Sequence, residues 1–174
     1  GRQPTAVRNS DSWFTPKKYL ESVTSSLGEI TLDPFSDETA NQIVKAKHFF
    51  DEKLDGLHQN WKVELSTKVF MNPPYSAGMV KKCCARFIEA WHQKEIEAGI
   101  ILVNNATETK WFQHLLFEAN AMCFTNHRIS FWNSDGKVVS NNTRGQAFFY
   151  FGNNSKYFEK HFGVHGHCQV LTNG

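Results

Sequence analysis

The stretch Phe70-Met71-Asn72-Pro73-Pro74-Tyr75-Ser76 constrains this chain more than any other, because the end of an apolar run opens directly into two consecutive prolines. Proline fixes φ at about −65° and pushes the residue before it toward extended geometry, so Asn72 and Pro73 are both held. Such a turn cannot relax. With Val69, Phe70 and Met71 as a buried strand, the turn holds the Asn72 amide, the Pro73 carbonyl and the Tyr75 ring in fixed positions. It does so at the carboxyl edge of a sheet, where open α/β folds place their ligands.

The rest of the chain supplies that sheet. Ile100-Ile101-Leu102-Val103 is a continuous apolar run, as strands of a parallel sheet covered on both faces require. Helical spacing of Tyr19, Leu20, Val23 and Leu27 predicts a helix over 17–27, with Thr15 as N-cap and Pro16 at its first position. Gly28-Glu29 ends it, and Ile30-Thr31-Leu32 reads as a short strand running into Asp33-Pro34-Phe35-Ser36. Residues 39–47 have helical character, and His48-Phe49-Phe50 reads as a second strand. Residues 78–97 read as a long amphipathic helix with Lys81, Lys82, Arg86 and Lys94 on its solvated face. Another helix starts at Glu108. Beyond it, 129–132 and 137–139 around the turn Asn133-Ser134-Asp135-Gly136 predict a hairpin, followed by a strand over 147–151. The expected fold is α/β, a mostly parallel sheet flanked by helices with an antiparallel hairpin at its edge.

With 40% hydrophobic and 21% charged residues over 174 positions, the composition is that of one globular domain, not a disordered chain. We take 1–12 as a flexible arm with Arg2 and Arg8 available for phosphate, 13–160 as the domain and 161–174 as a carboxyl-terminal tail. The net charge of +2 is compatible with a nucleic-acid partner without demanding one. Four cysteines without scaffold spacing point to reduced thiols and a cytoplasmic location, and no run approaches membrane-spanning length. His161, His165, His167 and Cys168 form a single group without the second ligand pair of a structural zinc site, so no metal is expected.

One reaction that uses the Asn72, Pro73 and Tyr75 trio is methylation of an exocyclic amine on a nucleobase. The adenine amino nitrogen is a poor nucleophile because its lone pair is delocalised into the ring. Acceptance of its two hydrogens by the Asn72 oxygen and the Pro73 carbonyl frees that lone pair, while Tyr75 stacks on the extruded base.

The ordered set Trp13-Phe14-Thr15-Pro16, Leu32-Asp33-Pro34-Phe35-Ser36, Asp55-Gly56-Leu57 with Trp61, Phe70 to Tyr75, and Thr109-Lys110-Trp111-Phe112 resembles the phage-type DNA N-6-adenine methyltransferase (Dam) family. The likeness spans roughly residues 11–152. It implies a Rossmann-like class I methyltransferase fold, S-adenosylmethionine as cofactor, double-stranded DNA as partner and the cytoplasm of a bacterial host as location. It implies Asn72, Pro73, Pro74 and Tyr75 as the catalytic turn, and Trp13, Thr15, Pro16, Asp33, Pro34, Phe35 and Asp55 as the cofactor pocket. Asp55 has a second reading as a turn cap. The glycine-rich cofactor loop of related enzymes is replaced here by Ser36 to Asn41. Arg128, Lys137 and Arg144, in and around the hairpin, are DNA-contact candidates. Asn104-Asn105-Ala106-Thr107 either lines the mouth of the site or merely forms a loop. Two other readings stay open: a protein-glutamine methyltransferase, which shares only the tetrapeptide, and a nucleic-acid-binding module whose catalysis has decayed. A zinc deaminase is excluded by its missing His-x-Glu and Cys-x-x-Cys pairs.

Overall fold

The computed structural model describes residues 13–138 and 142–172. The predicted arm at 1–12 and Val139 of the predicted hairpin lie outside the described residues. Among the described residues seven strands form one sheet: β1 (Leu32–Asp33), β2 (His48–Phe49), β3 (Lys68–Met71), β4 (Ala98–Asn104), β5 (Ala121–Thr125), β6 (Gln146–Phe151) and β7 (Gly166–Val170). Their order is β2-β1-β3-β4-β6-β5-β7. The first four run parallel, whereas β6 is antiparallel to both its neighbours and β7 antiparallel to β5.

The flanking helices are α1 (Lys17–Leu27), α2 (Glu38–Val44), α3 (Met79–His92), α4 (Lys110–Glu118) and α5 (Ser155–Phe162). Alternate side chains of each central strand enter opposite cores. Val69 and Met71 of β3, Ile101 and Val103 of β4 and Phe149 of β6 pack under α3 and α4. Phe70, Ile100, Leu102, Phe148 and Tyr150 pack under α1 and α5. Burial on both faces is why β4 and β6 read as unbroken apolar runs.

Several expectations need correction. Helix α1 is capped by Pro16, with no side-chain cap, because the Thr15 hydroxyl is committed elsewhere. Helix α3 stops at His92, five residues before the expected end. Lys94 takes φ 59° there, and Glu95 turns inward to accept from the Trp61 N–H and the Arg86 guanidinium. Arg86 therefore leaves the solvated face and lies over the Trp61 ring. The predicted hairpin contributes isolated bridges instead of sheet strands. Trp132 spends its backbone on Phe14, and the Asn133 turn closes by its N–H donating to the Lys137 carbonyl. The antiparallel member of the sheet interior is β6. Residues expected as a tail continue α5 to Phe162 and then form the edge strand β7, because Phe158 and Phe162 are fully buried beneath β6. Helix α5 and strand β5 were likewise not predicted.

Candidate active site

The parallel strands bring the ends of β1, β3 and β4 to one edge, and the antiparallel register Asn104↔Gln146 brings the start of β6 there too. Asn72 follows β3 directly. Its Nδ2 donates to the Trp13 carbonyl at 3.1 Å and to the buried Thr15 hydroxyl at 3.2 Å. A backbone carbonyl can only accept, so the amide orientation is fixed and not a matter of assignment. Oδ1 is thereby the outward end, and no donor reaches it among the described residues.

Asn72 and Pro73 line a cavity of about 210 Å³ together with Trp13, Tyr75, Asn104 and Phe131. The Tyr75 hydroxyl accepts a 2.6 Å hydrogen bond from the Asn104 backbone N–H, and its ring meets Trp111 edge-on. Burial pushes the Tyr75 phenol well above its ordinary range, with the Asn104 N–H and the Arg144 charge pulling the other way. It stays protonated at any working pH. Ala77 follows at φ 52°, a conformation that costs a non-glycine residue energy, so the chain is strained immediately after Tyr75. Pro74 is not among the cavity residues; its part is to fix the backbone between Pro73 and Tyr75.

A second cluster lies one strand over. Asp33 ends β1, is 5% exposed, and accepts one long bond from the Phe35 N–H at 3.4 Å. Burial pushes its carboxyl up to about 7, opposed by the Phe35 N–H and the Ser36 hydroxyl. No cation pairs with it among the described residues. Asp55 takes its cap role: at φ 57° its carboxylate accepts from the Leu57 N–H at 3.2 Å and from His58 Nδ1 at 2.6 Å. The His58 bond holds its carboxyl below the usual range. The residue of that loop that meets the Asp33 cluster is Gly56, where a Cβ would stand 2.0 Å from the Pro34 carbonyl oxygen and 2.9 Å from the Phe35 ring. The buried Trp61 indole donates to the Gly56 carbonyl at 2.8 Å and anchors the loop.

Of the predicted residues, Trp13, Asn72, Pro73 and Tyr75 line one cavity, and Thr15 joins them through its hydroxyl's bond from Asn72. Asp33, Pro34, Phe35 and the Asp55 loop converge beside it, and Pro16 starts α1 beneath the first group. Arg128, Lys137 and Arg144 are all exposed in the segment around Phe131 and Trp132 that walls the cavity. The sequence reading missed Phe131 and Gln146. The latter is fully buried, and its sequence signal was a lone polar residue opening the apolar run of β6. Among the described residues no three His, Cys, Asp or Glu side chains are grouped to hold a metal, and no helix is long and apolar enough to cross a membrane.

A seven-stranded mixed sheet with helices on both faces, ending in an Asn-Pro-Pro-Tyr turn over a cavity, is compatible with the methyltransferase class of α/β enzymes. The family model for DNA N-6-adenine-methyltransferase (Dam) matches residues 2–161, and the chain belongs to that family. Membership implies DNA adenine methyltransferase activity, with DNA as substrate. No curated protein matches the chain.

Proposed function

We propose that this protein transfers a methyl group from S-adenosylmethionine to the N6 amine of an adenine flipped out of duplex DNA, on a Rossmann-like class I methyltransferase fold. The observation that carries the reading is the Asn72 amide, tied at its nitrogen to Trp13 and Thr15 and presenting its oxygen at the cavity wall beside Pro73. When bound, the cofactor supplies an electrophilic methyl on a sulfonium. The chain's own groups do the rest by placement.

Asn72 Oδ1 and the Pro73 carbonyl oxygen accept the two amino hydrogens of adenine, localising the lone pair on nitrogen. As that lone pair forms the new carbon–nitrogen bond, the methyl's carbon–sulfur bond breaks and its electron pair leaves on sulfur as a neutral thioether; both oxygens stabilise the positive charge developing on the amine until one proton passes to solvent water. Tyr75 carries the base on its ring, with its hydroxyl pinned by Asn104 so that the ring plane cannot swing. A cavity of about 210 Å³ is small beside the roughly 300–1,000 Å³ of drug-sized sites and suits a single flat base, which has to leave the stack to enter it.

The residues of the second cluster fit the cofactor's amino-acid end. A buried carboxylate held only by the Phe35 N–H and the Ser36 hydroxyl, with no cation among the described residues, has unused acceptor capacity, which an ammonium would satisfy; that is Asp33. Pro34 and Phe35 shape the wall that Gly56 supports, Asp55 borders it, and Thr15 and Pro16 close it from the α1 side. Arg128, Lys137 and Arg144 supply phosphate contacts around the cavity mouth.

The test is transfer of radiolabelled methyl to duplex DNA, with nucleoside analysis of the product and a protein acceptor in parallel. Label is expected in N6-methyladenine. Asn72→Ala should lower turnover at least about 100-fold, the usual cost of removing a group that stabilises developing charge, while cofactor affinity stays within a few-fold. Near-normal turnover in that variant would remove Asn72 from the mechanism.

A further inference from the structure

We infer that Asn104 reads the flipped base directly, donating from Nδ2 to the ring nitrogen beside the adenine amino group, and that Gln146 sets the Asn104 amide that way round. The inference rests on the base-methylation reading above and adds to it the residue that separates bases with an amino group beside a bare ring nitrogen, adenine and cytosine, from guanine and thymine.

The orientation of each amide follows from backbone groups whose roles are not in doubt. Gln146 Oε1 accepts from the Ile129 N–H at 2.9 Å, and Nε2 donates to the Arg144 carbonyl at 2.8 Å. A peptide N–H only donates and a carbonyl only accepts, so the Gln146 amide cannot be reversed. Its second amino hydrogen goes to Asn104 Oδ1 at 3.0 Å, with Asn142 Oδ1 at 3.4 Å beside it. Asn104 is thereby fixed with its oxygen toward Gln146, leaving Nδ2 without an acceptor among the described residues. The same residue lines the cavity and clamps Tyr75 through its backbone.

The cavity wall therefore offers an acceptor from Asn72 and a donor from Asn104. The Watson–Crick edge of adenine carries an amino donor next to a ring-nitrogen acceptor, which matches that pair. Guanine and thymine present a carbonyl oxygen next to a protonated ring nitrogen, so each would set acceptor against acceptor and donor against donor. Unpaired buried polar groups penalise the wrong partner more than good pairs reward the right one.

The experiment is a chemical double-mutant cycle on kcat/KM, with duplexes carrying either adenine or 1-deazaadenine, in which a C–H replaces the ring nitrogen, at the target position. Taking the ratio of ratios cancels the effect of the analogue on duplex stability. Asn104→Asp keeps the acceptor that Gln146 needs and replaces the donor with a second acceptor oxygen. The preference for adenine over the analogue is expected to be about 10-fold larger in the wild type than in this variant, the value of one well-made hydrogen bond. Gln146→Glu should behave in the same way, because Asn104 would then turn its Nδ2 toward the new carboxylate and away from the base. A ratio near 1 in both variants overturns the inference. Wild-type protein that methylates no adenine overturns the base-methylation reading and this inference with it, whereas wild-type activity with a ratio near 1 overturns this inference alone.

Discussion

The carboxyl of Asp33 gives the most demanding test of the proposed cofactor site. Burial raises its pKa from 3.8 to about 7. The folded chain then binds a proton that the unfolded chain has released, over the whole interval between those values. Where the native state binds more protons, stability falls as pH rises. The contribution is fully present below the unfolded value and gone above the folded one. The two values lie about three units apart, so the full swing is about 4 kcal/mol, and the part between pH 5 and pH 8 is about 3 kcal/mol. In a chain of this size that is a fall of roughly 6–12 °C in melting temperature. Histidines titrate in the same window, so the measurement is a difference: melting of wild type and Asp33→Asn without ligand, across pH 5 to 8. The amide carries no charge to desolvate, so the variant should hold its stability at pH 8 and lose S-adenosylmethionine affinity at every pH. Parallel curves for the two proteins would mean that Asp33 is solvated or paired, and would remove the argument for an ammonium partner.

Tyr75→Phe should keep the ring and lose the bond from the Asn104 N–H, costing about 1 kcal/mol of stability and a modest part of turnover, whereas Tyr75→Ala should abolish most turnover; equal losses in a steady-state assay would assign the role to the hydroxyl. Gly56→Ala places a methyl 2.0 Å from the Pro34 carbonyl oxygen, so backbone must move. Melting should drop by several degrees and calorimetric cofactor affinity should fall, an outcome that unchanged affinity would contradict. Replacing Arg128, Lys137 and Arg144 together by Ala should weaken DNA binding and flatten its dependence on log salt by about 3 units of slope if all three touch phosphate, while cofactor binding stays unchanged.

What could be read in advance divides by the kind of force involved. Strand β3, the turn after it and strand β4 were predicted because burial on both faces leaves an apolar run and because proline restricts the backbone whatever surrounds it. Helix α1 was predicted from its spacing, but its first residue was misplaced. Thr15 looked like a cap, and only the fold could reveal Asn72 as a competing partner for its hydroxyl. The solvated reading of Arg86 failed for a similar reason, since Trp61 is remote from it in sequence and Glu95 reaches it only because the helix ends at His92. Strands β5 and β7 pair with each other, yet Cys123 and Cys168, which lie opposite one another, are 45 positions apart in the chain. A five-residue strand of mixed polarity carries too little local signal to announce such a partner.

The polar atoms of the cavity were unreadable for a further reason, which bears on how the site is made. An amide side chain does not declare which end faces a ligand; its neighbours decide. Here the deciding neighbours are backbone groups: the Trp13 carbonyl for Asn72, and the Ile129 N–H and Arg144 carbonyl, acting through Gln146, for Asn104. Backbone groups at fixed positions in a packed sheet edge cannot reorganise when a base arrives, so the donor and acceptor stand ready without further cost. The same wiring ties the segment bearing Arg128 and Arg144 to Asn104 and, through its N–H, to Tyr75. Displacing that segment by loss of Gln146 should therefore disturb the cavity wall before it disturbs the sheet, because β6 keeps its ladder to β4 and β5 whatever residue begins it.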